Sequence, residues 1–216
     1  MYSIPDLAKP LLSGAAVTLQ VMIYSAVLAA ILAFLFGFMK LSQVKLLKII
    51  SGIYIEIFRG TSLLIQLFWL YFALPMFGVQ LSAMAAGVLA LGLNYGAYGA
   101  EVVRGSILAV PKGQTEATIA LNMEPAQRMR LVILPQAIML MIPSFGNLLI
   151  ELLKGTALVS LVTLSDLTFQ AMSLRTTTMQ TTEIFTLLLL FYFIIAYPIT
   201  LGVRWFEKRL SARRVS

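Results

Sequence analysis

Residues 10–39 run between Lys9 and Lys40 without a single charged side chain. A helix that crosses hydrocarbon needs about 20 mostly apolar residues, so this run alone is long enough to span a bilayer. Uncharged runs recur at 60–100, 131–150, 155–165 and 184–203. The chain is 60% hydrophobic and 12% charged over 216 residues, whereas soluble domains carry about 25% charged residues. A soluble core of this size cannot hide that excess. The chain is expected to be an all-α integral membrane protein.

Helix one is predicted over 12–39. The 60–100 run is too long for one span, and Pro75 and Gly78 punctuate it. That predicts helix two over 49–76 and helix three over 80–109. Helix four begins near 131 and carries Gly155 as a bend, and helix five covers 184–203. Five transmembrane helices in one domain, 1–216, put the termini on opposite sides. Twelve of the 16 basic residues fall in three places: the first connection (Lys40, Lys45, Lys48), the 104–130 segment, and the C-terminal end from Arg204 to Arg214. The excess of Lys and Arg in cytoplasmic loops then places the C-terminus inside and the N-terminus outside. The start lacks a basic n-region, so no cleaved signal peptide is expected. The polar 165–183 segment should lie at the outer surface, partly helical, with its threonines solvated.

Cysteine and histidine are both absent, which removes disulfides, Cys or His metal sites, and thiol or imidazole catalysis. The net charge of +7 is distributed between apolar blocks, which fits membrane orientation rather than nucleic-acid binding. No G-x-x-x-x-G-K-[ST] phosphate loop is present, so ATP is not expected to bind here in that way. A channel, an intramembrane enzyme or a helical scaffold are the rival classes. No filter-like segment and no base near a serine support the first two, and a scaffold leaves the loop pattern below unexplained.

The 104–135 loop is too polar to span and too organised for an idle connection. Pro111 suits the first turn of a helix, and Ala117, Ala120 and Leu121 share one side at helical spacing. Asn122 follows at a C′ position, where Asn tolerates the left-handed conformation. Glu124 and Pro125 open a second turn, and Pro135 lies early in helix four. A short helix with a small apolar face therefore lies across the cytoplasmic side. Lipid headgroups or a groove on a soluble partner are its two possible supports.

Here a resemblance enters. ABC importer permeases carry a cytoplasmic pattern of EAA, three residues, Gly, nine residues, then Ile-x-Leu-Pro. This chain has Glu116, Ala117 and Thr118, then Asn122, then Val132 to Pro135 at the same spacing. Thr118 and Asn122 depart from it, and Val132 is conservative. The chain also resembles the polar amino acid branch, the histidine/glutamine type, through YIEIFRGTSLLIQLFWLYFALP at 54–75, LNYGAYGAEVVRGSI at 93–107 and LLKGTALVSLV at 152–162. The resemblance implies a type I importer (MetI-like) permease in a bacterial inner membrane. It implies pairing with a second permease subunit, identical or related, and a dimer of separate ATP-binding cassette subunits that hold the ATP and magnesium. It also implies an extracytoplasmic solute-binding protein. This chain itself should bind no cofactor and catalyse nothing. Coupling to the ATPase then falls to 111–130, with Glu116, Ala117, Thr118, Ala120, Leu121, Asn122 and Pro135.

Ionisable groups at membrane depth need a partner or a watery path. Glu151 and Lys154 are three apart on helix four, so an internal ion pair and a place on the substrate route are both open. The branch usually has Lys-Asp-Thr-Ser here, while this chain has Lys154-Gly155-Thr156-Ala157. The missing acid makes a zwitterion such as ectoine or hydroxyectoine an alternative to a standard amino acid. Glu56 with Arg59, and Glu101 with Arg104, are expected to neutralise each other. Gln66, Asn94 and Asn147 are expected to hydrogen-bond between helices or to line the path with Thr156. Tyr98 is expected to pack at an interface or to take a cationic ligand on its ring.

Overall fold

The computed structural model describes residues 4–212. Nine α-helices are arranged in chain order as α1 (Ile4–Leu41), α2 (Lys45–Gly60), α3 (Leu63–Phe68), α4 (Ala83–Leu108), α5 (Lys112–Ala120), α6 (Pro125–Arg128), α7 (Leu134–Gly155), α8 (Leu167–Thr178) and α9 (Thr181–Ala212). Arg213 and Arg214, counted above for orientation, lie outside the described residues.

Among the described residues three helical segments, Leu7–Leu41, Pro125–Val162 and Thr181–Arg209, are long and apolar enough to cross a membrane, and Lys45–Gly60 with Leu63–Phe77 forms a fourth if the bent pair is one span. The fifth expected span is α4. Its 26 residues make about 39 Å at 1.5 Å per residue, ample for hydrocarbon about 30 Å thick. Asn94, Tyr95, Tyr98 and five glycines dilute its hydropathy. α4 tolerates this because neighbouring helices shield it, and twelve of its residues are buried.

α1 and α4 pack together over most of their length, because α4 presents glycines to α1. A Cβ at Gly92 would stand 2.5 Å from Leu28, and one at Gly99 2.7 Å from Ala33. In lipid, helices associate through this kind of close backbone approach rather than through the hydrophobic effect. Val21, Leu67, Ala90, Leu91 and Val159 bury one end of the spine. Ala33, Val103, Ile107, Ala137 and Met141 bury the other.

Helix two is not the continuous 49–76 span expected. α2 ends at Gly60, and the axis turns by 103° before α3 begins at Leu63. α2 is amphipathic, with Tyr54 and Ile55 buried and Ile53 and Ile57 exposed, which marks a helix crossing α1 and α4. Beyond α3 the chain widens into a π turn at Trp69–Ala73 before tightening at Leu74–Phe77. A second π turn, Met129–Ile133, joins α6 to α7. In each the last N–H, Leu74 or Leu134, reaches back five residues, and the next residue is Pro75 or Pro135. A proline ring clashes with the carbonyl four residues back, and a widened turn relieves that clash.

α8 is not a merely solvated connection. Leu167 and Ala171 pack with Leu7 and Leu11 of α1 and Ile184 of α9. The backbone of 166–167 comes so close to Gly14 that a Cβ there would lie 2.8 Å away, and the Leu167 N–H donates to Thr18 Oγ1 at 3.1 Å. Asp166 caps α8, its Oδ1 accepting from the Phe169 N–H at 2.9 Å, while its buried Oδ2 has no hydrogen-bond partner. Burial outweighs the cap bonds and pushes the Asp166 carboxyl up to about 6, from about 4 in an unfolded chain. The folded state then holds the proton more tightly. The contribution of Asp166 to stability is greatest below about pH 4 and falls as pH rises to about 6. Asp166→Asn keeps a good cap and should flatten that part of the melting temperature against pH profile of the purified protein.

Candidate functional site

The loop between α4 and α7 folds as two capped helices. Pro111 is extended ahead of α5, with φ −55° and ψ 134°. At the other end Asn122 takes a left-handed φ of 54°. Its N–H donates to Ile119 O at 2.9 Å, and the Met123 N–H donates to Thr118 O at 3.0 Å. These two bonds form the Schellman closure that a left-handed C′ residue permits. Glu124 and Gln127 then form a capping box that starts α6 at Pro125.

This geometry sorts the side chains of α5. Glu116, Ala117, Ala120 and Leu121 are exposed, with Leu121 74% accessible. A Cβ on Gly113 would meet nothing within 4 Å, so the outer face is bare. Thr118, named with the coupling residues, faces inward: it is 3% accessible, and its hydroxyl donates to Thr115 O at 2.7 Å. It anchors the inner side of α5 rather than presenting a surface. Ile119, 56% accessible, was not singled out from sequence. Gln136 Nε2 of α7 donates to Gln114 Oε1 at 3.1 Å, tying α5 to the membrane helix that follows. Pro135 is exposed one residue before Gln136.

The break between α2 and α3 is held by a polar knot. Phe58 O accepts from Asn94 Nδ2 at 2.8 Å and from Gln66 Nε2 at 3.0 Å. Asn94 Nδ2 also reaches Gln66 Oε1 at 3.2 Å, and Gln66 Nε2 reaches Thr61 Oγ1 at 2.7 Å. The Thr61 hydroxyl donates to Ile57 O at 2.7 Å. Both amides therefore take up the loose carbonyl end of α2.

Glu56 and Arg59 do not form the expected pair. Arg59 instead lies over the Tyr98 ring, 5.2 Å from its centre, a stabilising position for a guanidinium. Glu101 and Arg104 do pair, at 2.8 Å, the one ion pair among the described residues. Glu151 and Lys154 are both exposed and unpaired, so the internal pair is not formed. Lys154 sits instead on a groove of ≈ 570 Å³ between α7 and α9, with Leu153, Ala157, Phe185 and Tyr192. Asn147 is exposed, and Thr156 is fully buried, its hydroxyl donating to Leu153 O at 2.6 Å. The Tyr95 hydroxyl donates to Glu151 O at 2.9 Å, and a Cβ at Gly155 would meet that same hydroxyl at 2.9 Å. Tyr95 thus occupies the space that a side chain at 155 would need.

Residues 25–212 match the model of binding-protein-dependent transport system inner membrane components. The chain belongs to that family. The permease is 51% identical, over 97% of its length and 90% of the other's, to a probable amino-acid ABC transporter permease protein of Sinorhizobium fredii. It is 36% identical to the L-cystine transport system permease protein of Bacillus subtilis, covering 94% of this chain and 87% of that one. A crystal structure of an amino acid ABC transporter with histidines matches it with a TM-score of 0.90 and 35% identity, over 97% of this chain and 99% of that one.

The knot is the part of the permease that sequence reading could not assemble, because Asn94 and Gln66 are 28 residues apart and each looks like an isolated polar residue. An interhelical hydrogen bond in a membrane contributes about 0.6 kcal/mol on average, and up to about 1.7. Asn94→Leu should therefore lower unfolding stability in detergent by about 1 kcal/mol, read from thermal or denaturant melts, without preventing folding.

Proposed function

We propose that this permease is the translocation subunit of an importer for polar amino acids and related zwitterions, driven by a separate ATPase dimer that docks on α5. The bare outer face of α5, with Glu116, Ala117, Ala120 and Leu121 exposed while Thr118 anchors the helix inward, is the observation that carries this reading. Small side chains let a helix sit deep in a groove, Leu121 supplies apolar area, and Glu116 supplies a partner for a basic residue. In this reading the ATPases bind ATP and magnesium, and a second permease copy or a related chain completes the membrane pathway. A solute-binding protein delivers cargo at the outer side, with the N-terminus outside and the C-terminus in the cytoplasm. ATP-driven closure of the ATPases moves α5, and Gln114 and Gln136 pass the motion to α7. Alternating access follows from exchange between two such packed states.

Glu116→Lys and Leu121→Asp should each abolish co-purification of the ATPase and uptake in reconstituted vesicles, while leaving the permease folded. Retention of both by either variant would sink the docking assignment.

Tyr95 supports the substrate class. Relatives of this branch usually carry an acid where Gly155 stands, and here a neutral hydroxyl fills that space. A site with no acid beside Lys154 suits a substrate with a carboxylate and no extra unshielded cation. Uptake should favour neutral zwitterions over arginine, with ectoine and hydroxyectoine as arms of the panel. Preference for arginine would overturn this assignment and leave the docking reading intact.

A further inference from the structure

Between α1, α7 and α9 lies a second groove, ≈ 580 Å³ in volume and lined only by apolar residues, including Phe34, Met141, Phe145, Ile199, Gly202 and Phe206. Phe34 and Phe145 stack across it at 5.9 Å. On α9 the lining residues Ile199, Gly202, Val203 and Phe206 recur at helical spacing, and Arg209 lies one turn further on, at the edge of that face. The Arg209 guanidinium sits over the Trp205 ring at 4.8 Å. Tryptophan marks the headgroup level of a bilayer. From Arg209 back to Ile199 is ten residues, about 15 Å along a helix, which is half of the roughly 30 Å hydrocarbon core. The groove and the Arg209 cation one turn beyond it thus together span about one leaflet.

The charge at that end is not neutralised by an ion pair among the described residues. Arg204, Lys208 and Arg209 are exposed, and Arg130 is exposed at the start of the π turn leading into α7. None of them is in an ion pair among the described residues. After Glu183, Glu207 is the only acid in the sequence. We infer that this face holds one anionic phospholipid of the inner leaflet, an acyl chain in the groove and the phosphate on Arg209. Its inner-leaflet placement rests on the proposed cytoplasmic position of the α9 C-terminal end. Each basic residue near an anionic surface contributes about 1 kcal/mol, a factor of about five in affinity.

Gly202 makes the inference testable without damage to packing. A Cβ there would meet nothing within 4 Å, so Gly202→Leu fills the groove from open space, and Gly202→Ala is a milder control. The permease, purified with its partner subunits, is titrated with phosphatidylglycerol or phosphatidylcholine and read by native mass spectrometry. One phosphatidylglycerol per permease should be retained in preference to phosphatidylcholine. Arg209→Gln should weaken retention about fivefold, Gly202→Leu should remove it, and Gly202→Ala should keep it with an unchanged melting temperature. Equal retention of the two lipids, or full retention in Gly202→Leu, would overturn the inference. So would loss of permease–permease association in Gly202→Leu, since the groove would then hold a second copy. The chain has no cysteine, so an Arg209→Cys variant can be labelled with an impermeant maleimide. Labelling from outside intact cells would reverse the orientation alone, leaving the lipid titration to stand or fall separately.

Discussion

Lipid offers a backbone no hydrogen-bond partner, so every departure from regular helix must be satisfied inside the protein. In this permease the departures are several, and most have an identifiable partner. The sharpest is the 103° turn after α2, where loose carbonyls at Ile57 and Phe58 are taken up by Thr61, Gln66 and Asn94. That requirement draws α3 and α4 to the end of α2 and so sets the packing of three helices. The two π turns obey the same constraint at Pro75 and Pro135, where the preceding N–H finds a carbonyl one residue further back.

α4 shows how the constraint shapes composition. It must come close to α1, hence the glycines at 92, 96 and 99, and it must donate a side-chain hydrogen bond to α2, hence Asn94. Both demands lower its hydropathy, and burial among other helices is what makes that tolerable. Two exposed surfaces stand out. α5 leaves a bare face at one end of the bundle, and α9, apolar almost throughout, ends in basic residues that form no ion pair among the described residues.

Helix existence was legible where the signal was local. The uncharged run at 10–39, the proline and glycine at 75 and 78, and the Asn122 cap each depend on residues within a turn or two of each other. Of the two ion pairs expected from spacing, one forms, and the Glu151–Lys154 pair that was left open does not. Glu101–Arg104 forms, but Arg59 prefers the Tyr98 ring to Glu56, and Lys154 turns toward α9 rather than Glu151. A three-residue spacing only brings two groups within reach. Whether they meet depends on what neighbouring helices offer, and Tyr98 lies 39 residues beyond Arg59. The continuous helix two was misread for a related reason, since neither Gly60 nor Ser62 is a strong breaker and the break depends on amides from elsewhere.

By itself the sequence determined that this chain lives in a bilayer and that a short capped helix projects between two membrane helices. Those are consequences of hydropathy, charge count and cap chemistry, all properties of neighbouring residues. Only the tertiary structure decided that helix two is broken, that Thr118 faces inward while Leu121 faces out, and that Tyr95 fills the space beside Gly155. Each of these depends on atoms brought together from distant parts of the chain, where close packing admits one side chain and leaves no room for another.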